Sequence, residues 1–134
     1  MKTITKYLCV FLFILFTSNE ILAQESTWKA PESANDLKNP FSGNTLAANK
    51  GKMIFRQTCV LCHGMKGDGT GGGGVSLNPK PANFLSKRVK DESDGALFWK
   101  MSQGNPPMAS YKDIFSEDQR WQLVTYIRVL ENQQ

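Results

Sequence analysis

Apolar positions recur with a helical period in three stretches of the chain, and no stretch alternates well enough for a strand. The first runs from Thr45 to Thr58, with Asn44 or Thr45 as its cap and Leu46, Ala47, Met53, Ile54 and Phe55 as its apolar positions. Gly51 inside it costs about 1 kcal/mol against alanine. The position therefore wants a packing reason, and close approach of another helix is the usual one. A shorter helix opens at Ser93 or Asp94, carries Leu97, Phe98 and Met101, and runs to about Ser102, with Gly104 placed to end it. The last begins at Ser116-Glu117-Asp118-Gln119, a capping box, and reaches about Glu131. Leu123, Val124, Ile127 and Leu130 form its buried stripe.

The segments between are loops. Gly64 to Gly74 holds seven of the chain's eleven glycines. The G-K-[ST] ending of a phosphate loop is absent, so a tight loop beside another group is the better reading. Asn78 to Phe84 continues as extended chain stiffened by Pro79 and Pro81, and Asn105-Pro106-Pro107-Met108 cannot be helical. The fold class is all-α, with three or more short helices joined by long loops. For about 90 ordered residues that is a thin core, one that a bound group would fill.

The N-terminus reads as a targeting segment. A short basic start with Lys2 and Lys6 precedes an apolar run from Tyr7 to Phe16, too short to span a bilayer comfortably. Residues 1–23 have the layout of a secretory signal peptide with cleavage after Ala23. Ile21, three before the cut, is larger than usual there, which keeps an uncleaved anchor as the alternative. Cys9 lies inside the apolar run and is not a lipid-anchor position. Residues 24–44 are polar and irregular and read as a flexible leader. Trp28 and Phe41 are its aromatics, and the sequence does not decide whether either packs. Residues 45–134 form the domain. The whole chain carries +4, and loss of Lys2, Lys6 and Glu20 with the signal leaves a mildly basic +3. That weakly favours acidic partners and does not argue for nucleic acid.

Cys59-Val60-Leu61-Cys62-His63 carries the chemistry. C-x-x-C-H is the pattern that attaches a haem covalently. Two thiols add to the two vinyl groups of one haem, and the adjacent histidine is carried under the ring, where it binds iron. His63 is the chain's single histidine. A zinc site needs about four ligands, and outside the motif only Cys9 remains. A thioredoxin-like motif would follow a strand, whereas a helix precedes Cys59. A plain disulfide leaves the histidine unexplained.

The sixth iron ligand cannot be a second histidine. Methionine sulfur is next, and Met/His ligation raises the reduction potential. Met1 leaves with the signal, Met65 is two residues from His63, and Met53 lies on the helix leading into the motif. Met101 sits on an apolar helix face, where methionine is more often core filler. Met108, in a proline-stiffened loop well beyond His63, is the candidate.

With these residues in place, residues 47 to 131 resemble a class I c-type cytochrome. In that family a glycine and an aromatic residue stand eight and four before the first motif cysteine, as Gly51 and Phe55 do here. Its last helix crosses with a leucine and an aromatic three apart, matched by Leu123 and Tyr126. The stretch from Leu97 to Gly104, then Met108, then Trp121 to Leu130 is similar to bacterial members with the methionine loop before the final helix. Two departures stand. Ala109 follows Met108 where the family often has proline. Val75 stands where a proline, whose carbonyl bonds the imidazole, is usual.

The resemblance implies a cytochrome c fold around one covalently attached haem c, held through Cys59 and Cys62 with His63 and Met108 on the iron. It implies an electron carrier rather than an enzyme, periplasmic or otherwise exported, passing single electrons between redox proteins such as a respiratory complex or a dehydrogenase. Membrane contact is expected only if the N-terminal segment stays uncleaved. The alternative is a haem enzyme or gas sensor with an open sixth site. Lysines such as Lys50, Lys66 and Lys100 are spread through the domain, where they either steer acidic partners or form a solvated surface. Trp99 and Arg88 are conceivable haem-propionate contacts, although packing for the first and plain surface for the second are the simpler expectations.

Overall fold

Local capping sets where the helices begin and end. The computed structural model describes residues 28–132. Among them are five α-helices: α1 Thr45–Thr58, α2 Val60–His63, α3 Lys87–Lys90, α4 Asp94–Gln103 and α5 Glu117–Glu131. No strand occurs among the described residues, only a lone antiparallel bridge between Asn105 and Met108. The all-α expectation holds. The proposed signal segment and residues 24–27 lie outside the described residues. No described helix is long and apolar enough to cross a membrane.

The three helices expected from periodicity form within a residue of their expected limits. Asn44 Oδ1 accepts the Ala47 N–H at 3.0 Å at the start of α1. Ser93 Oγ accepts the Ala96 N–H at 3.0 Å at the start of α4. Gly104, at φ 69°, ends α4 in a conformation that side chains resist. At α5 the capping box is complete. Ser116 Oγ accepts the Gln119 N–H at 3.2 Å, and Gln119 Oε1 accepts the Ser116 N–H at 2.8 Å. Ser116→Ala is expected to lower stability by about 1 kcal/mol. A denaturant titration checks this, with the midpoint falling and the slope unchanged.

α1 and α5 cross at Gly51. A Cβ there would lie 2.0 Å from the Gln122 carbonyl oxygen and 3.0 Å from the Leu123 nitrogen. The packing reason demanded by a glycine in mid-helix is thus a backbone-to-backbone contact. One turn on, Phe55 meets Tyr126 edge-on at 5.3 Å and Phe84 at 6.2 Å. Phe55, Leu123 and Val124 are the most completely buried side chains of the core, joined by Leu97, Met101, Trp121 and Ile127.

α5 is buried well beyond the expected stripe. Every residue from Arg120 to Ile127 is buried, because the chain before α1 covers its remaining face together with α4. Of the leader expected over residues 24–44, residues 28–44 are described. Within it, Glu32–Asp36 forms a 3-10 turn whose Ala34 is 2% exposed. Ala34 packs onto α4 at Gly95, where a Cβ would stand 1.9 Å from the Ala34 carbonyl oxygen. Asn39 Nδ2 donates to Asp94 Oδ2 at 2.8 Å and to Thr125 Oγ1 at 3.1 Å. Phe41 packs against the core and Trp28 lies 6.4 Å from Trp99, so both leader aromatics are engaged. Small size at Ala34 and Gly95, and polar side chains with specific distant partners, hold a segment that lacks any apolar period.

Candidate functional site

The C-x-x-C-H motif begins where α1 stops. Cys59 caps that helix, donating its N–H to the Phe55 carbonyl. The single turn of α2 then returns the His63 N–H to the Cys59 carbonyl at 2.9 Å. Cys59, Cys62 and His63 line one cleft of about 270 Å³, and both Met101 and Met108 line it too. The four residues singled out from the sequence are therefore brought to one place. Cys59 and Cys62 are not joined to each other by a disulfide. Burial, reinforced by Cys62, pushes the Cys59 thiol up to about 12, so as a free group it stays protonated at neutral pH. No group of three or more His, Cys, Asp or Glu side chains placed to hold a metal ion occurs among the described residues.

His63 is oriented from behind. Its Nδ1 lies 3.0 Å from the carbonyl oxygen of Ala82. A carbonyl only accepts, so the proton sits on Nδ1 and the lone pair on Nε2 is left for a metal. Phe84 stacks on the imidazole with centroids 4.6 Å apart and planes 15° from parallel. Burial lowers the imidazole's pKa, against the opposing effect of the Ala82 bond, and so favours the neutral ring that metals bind.

Two loops build this arrangement. The glycine-rich loop lies flat on the motif, with the Gly69 N–H on the His63 carbonyl at 2.8 Å and the Gly71 N–H on the Cys62 carbonyl at 3.2 Å. A Cβ at Gly71 would come within 2.4 Å of the Leu61 carbonyl oxygen, and one at Gly74 within 2.8 Å of that of Cys62. The proline-stiffened stretch then crosses the cleft, delivers the Ala82 carbonyl, and is fastened by the Phe84 N–H to the Gly67 carbonyl at 2.7 Å. The methionine loop, which also lines the cleft, is closed by two backbone bonds between Asn105 and Met108, at 2.8 and 3.0 Å. It returns to α4 through the Tyr111 N–H on the Met101 carbonyl at 3.1 Å. Met101 is 7% exposed and belongs to the core cluster, whereas Met108 stands on the loop.

Sequence reasoning missed several wall residues. The imidazole acceptor is Ala82, nineteen residues from His63, not the position of Val75 suggested by family spacing. Trp28, Glu92, Lys100 and Tyr111 also line the cleft. Arg88, a conceivable propionate contact with plain surface as the simpler expectation, lines it as well and pairs with Glu92 at 3.3 Å. Trp99 packs on Trp28, as the simpler expectation had it.

Residues 46–127 match the family described as cytochrome c oxidase, cbb3-type, subunit III. The chain belongs to that family. It is a small c-type cytochrome of all-α cytochrome c fold, and its cofactor is covalently bound haem c. Among solved structures, a chain of the Kuenenia stuttgartiensis reducing HAO-like protein complex is similar at a TM-score of 0.58 and 25% identity. The likeness covers 70% of this cytochrome, which spans 46% of that chain. No curated protein matches the chain.

The cleft of this cytochrome fits haem c on its own chemistry. Two thiols stand at the C-x-x-C spacing, and an imidazole is tied at Nδ1 so that Nε2 is available. The walls include apolar Phe84, Leu97, Met101 and Ile127, with the cations Arg88 and Lys100 for an anionic edge.

Proposed function

We propose that the protein is an exported monohaem electron carrier, or the electron-transfer subunit of a redox complex. In this reading Cys59 and Cys62 would tether one haem, and His63 and Met108 would hold its iron. When bound, the haem supplies one-electron exchange between ferric and ferrous iron. The residues around it hold that exchange to a fixed geometry. The Ala82 carbonyl, at 3.0 Å from His63 Nδ1, is the observation that carries the reading, because it fixes both the tautomer and the aim of the ring. Phe84 limits its rotation from one side. Met108 approaches on a loop closed upon itself, which suits a ligand that must stay in place as the charge changes.

With both His63 and Met108 on the iron, no position would remain open for substrate, which is why this reading is of a carrier rather than a haem enzyme or gas sensor. Residues 1–23 act as the export signal, cleaved after Ala23, residues 24–44 lead into the haem domain, and residues 45–134 form that domain. The partners are a donor and an acceptor redox protein outside the cytoplasm.

A redox titration followed by absorption spectra of the exported protein tests this. The expected result is one Nernstian one-electron wave with the sharp, split bands of low-spin ferrous c-type haem. Carbon monoxide should bind slowly or not at all without denaturant. Rapid carbon monoxide binding by the native ferrous protein would instead establish the open-site alternative.

A further inference from the structure

Trp28 stands far from the motif in sequence, yet it lies on the wall of the same cleft as Cys59, Cys62 and His63. It reaches there on a strap fastened to α4 and α5. Ala34 is seated on Gly95, the Ser93 hydroxyl donates to Asn35 Oδ1 at 2.6 Å, and Asn39 bonds both Asp94 and Thr125. None of these anchors touches the motif, so the strap holds its place independently of the haem ligands.

The indole has a charged neighbour. Lys100 Nζ lies 5.4 Å from the centre of the Trp28 ring, within cation–π range. The same ammonium is 2.6 Å from the Glu92 carboxylate, which also takes Arg88 at 3.3 Å. Lys100, Glu92 and Arg88 all line the cleft with Trp28. The side chain of Lys100 is only 11% exposed. It is held between an indole and a carboxylate, facing the space assigned above to the haem.

We propose that Trp28 is a positioning residue for electron transfer. It covers the mouth of the haem cleft and fixes Lys100 on its wall, and in doing so raises the reduction potential. Two effects act with the same sign. A cation held where water is scarce favours the less positive, ferrous iron. An indole across the mouth limits the water that would otherwise stabilise the ferric charge. The inference rests on reading this cleft as the haem site.

The test uses the full exported holoprotein and its variants Trp28→Ala, Trp28→Phe and Lys100→Gln, with the reduction potential measured by spectroelectrochemistry. In Trp28→Ala the ferrous-to-ferric ratio at a fixed applied potential is expected to fall about threefold, equivalent to about 28 mV for a one-electron couple. Trp28→Phe should recover at least half of that shift. Lys100→Gln should move the potential in the same direction. The double variant Trp28→Ala/Lys100→Gln should fall short of the sum of the two single shifts, because they share one interaction.

An unchanged potential in Trp28→Ala, with a normal low-spin spectrum and only lower thermal stability, would show a merely structural strap and overturn the proposal. If Trp28→Ala yields no holoprotein, Lys100→Gln decides: a lowered potential supports the proposal and an unchanged one overturns it. Failure of the cleft reading itself looks different. The parent protein would then show no covalent haem on a denaturing gel, and there would be no potential to compare.

Discussion

Met108→Ala is expected to turn this cytochrome into a protein that binds carbon monoxide rapidly in its ferrous form. The ferric protein should also lose the weak charge-transfer absorption that thioether sulfur gives to ferric iron. Alanine removes the sulfur and leaves the loop, whose closure depends on the backbone groups of Asn105 and Met108 rather than on the side chain. The potential should drop by on the order of 0.1 V, a modest part of the roughly 0.8 V that axial ligands span. The direction follows from losing a ligand set that raises the potential relative to His/His. Met101→Leu is the control. Met101 lies on the same cleft but is packed in the core, and a swap of similar volume costs less than about 1.5 kcal/mol. It should leave the spectrum and the carbon monoxide behaviour unchanged. If Met101→Leu rather than Met108→Ala opens the sixth position, the ligand assignment is wrong.

The second large effect concerns stability. Gly51→Ala places a methyl 2.0 Å from the Gln122 carbonyl oxygen, 2.6 Å from its carbon and 3.0 Å from the Leu123 nitrogen. All three atoms are backbone, so no side chain can swing aside. α1 and α5 must separate, and Phe55 loses its edge-on fit against Tyr126. Alanine would by itself favour the helix by about 1 kcal/mol, and overpacking typically costs about 1–3 kcal/mol, occasionally more. With all three contacts made to backbone, the expected net loss lies at the upper end of that difference, about 2 kcal/mol, read as a lower denaturation midpoint of the holoprotein. Gly72→Ala, whose Cβ would meet nothing within 4 Å, should leave the midpoint almost unmoved. Equal behaviour of the two variants would refute the crossing as the source of the constraint.

The parts of the fold legible in the sequence are those whose causes are local. Asn44, Ser93 and Ser116 cap helices through bonds to residues three further on, and such spacing is visible in a string of letters. The motif's chemistry was legible for the same reason. Gly51 was legible as a question, because a glycine in mid-helix is costly without a partner. The acceptor for His63 was not, since it is a backbone carbonyl and every residue has one. Its place at Ala82 depends on how far the glycine loop and the prolines carry the chain, which no side chain announces. The strap was hidden differently. Ala34 and Gly95 meet through their smallness, and Asn39 finds partners more than fifty residues away. Neither leaves a period. Trp28 and Phe41 were the signals that something in the leader packs, but an aromatic residue does not name its surface.

The run Gly71-Gly72-Gly73-Gly74 looks like low-complexity filler, and its four letters carry very unequal information. At Gly71 and Gly74 the motif's own backbone fills the space a side chain would need, with Pro81 also pressing on Gly74. At Gly73 the obstacle is the Leu61 side chain, and at Gly72 there is none. A library randomised over these four codons would therefore return glycine at the first and last, leave the second free, and couple the third to the residue chosen at Leu61. For a protein designer the loop is a mould pressed against the C-x-x-C-H segment, and of its four glycines the safe place to add a label or a linker is Gly72.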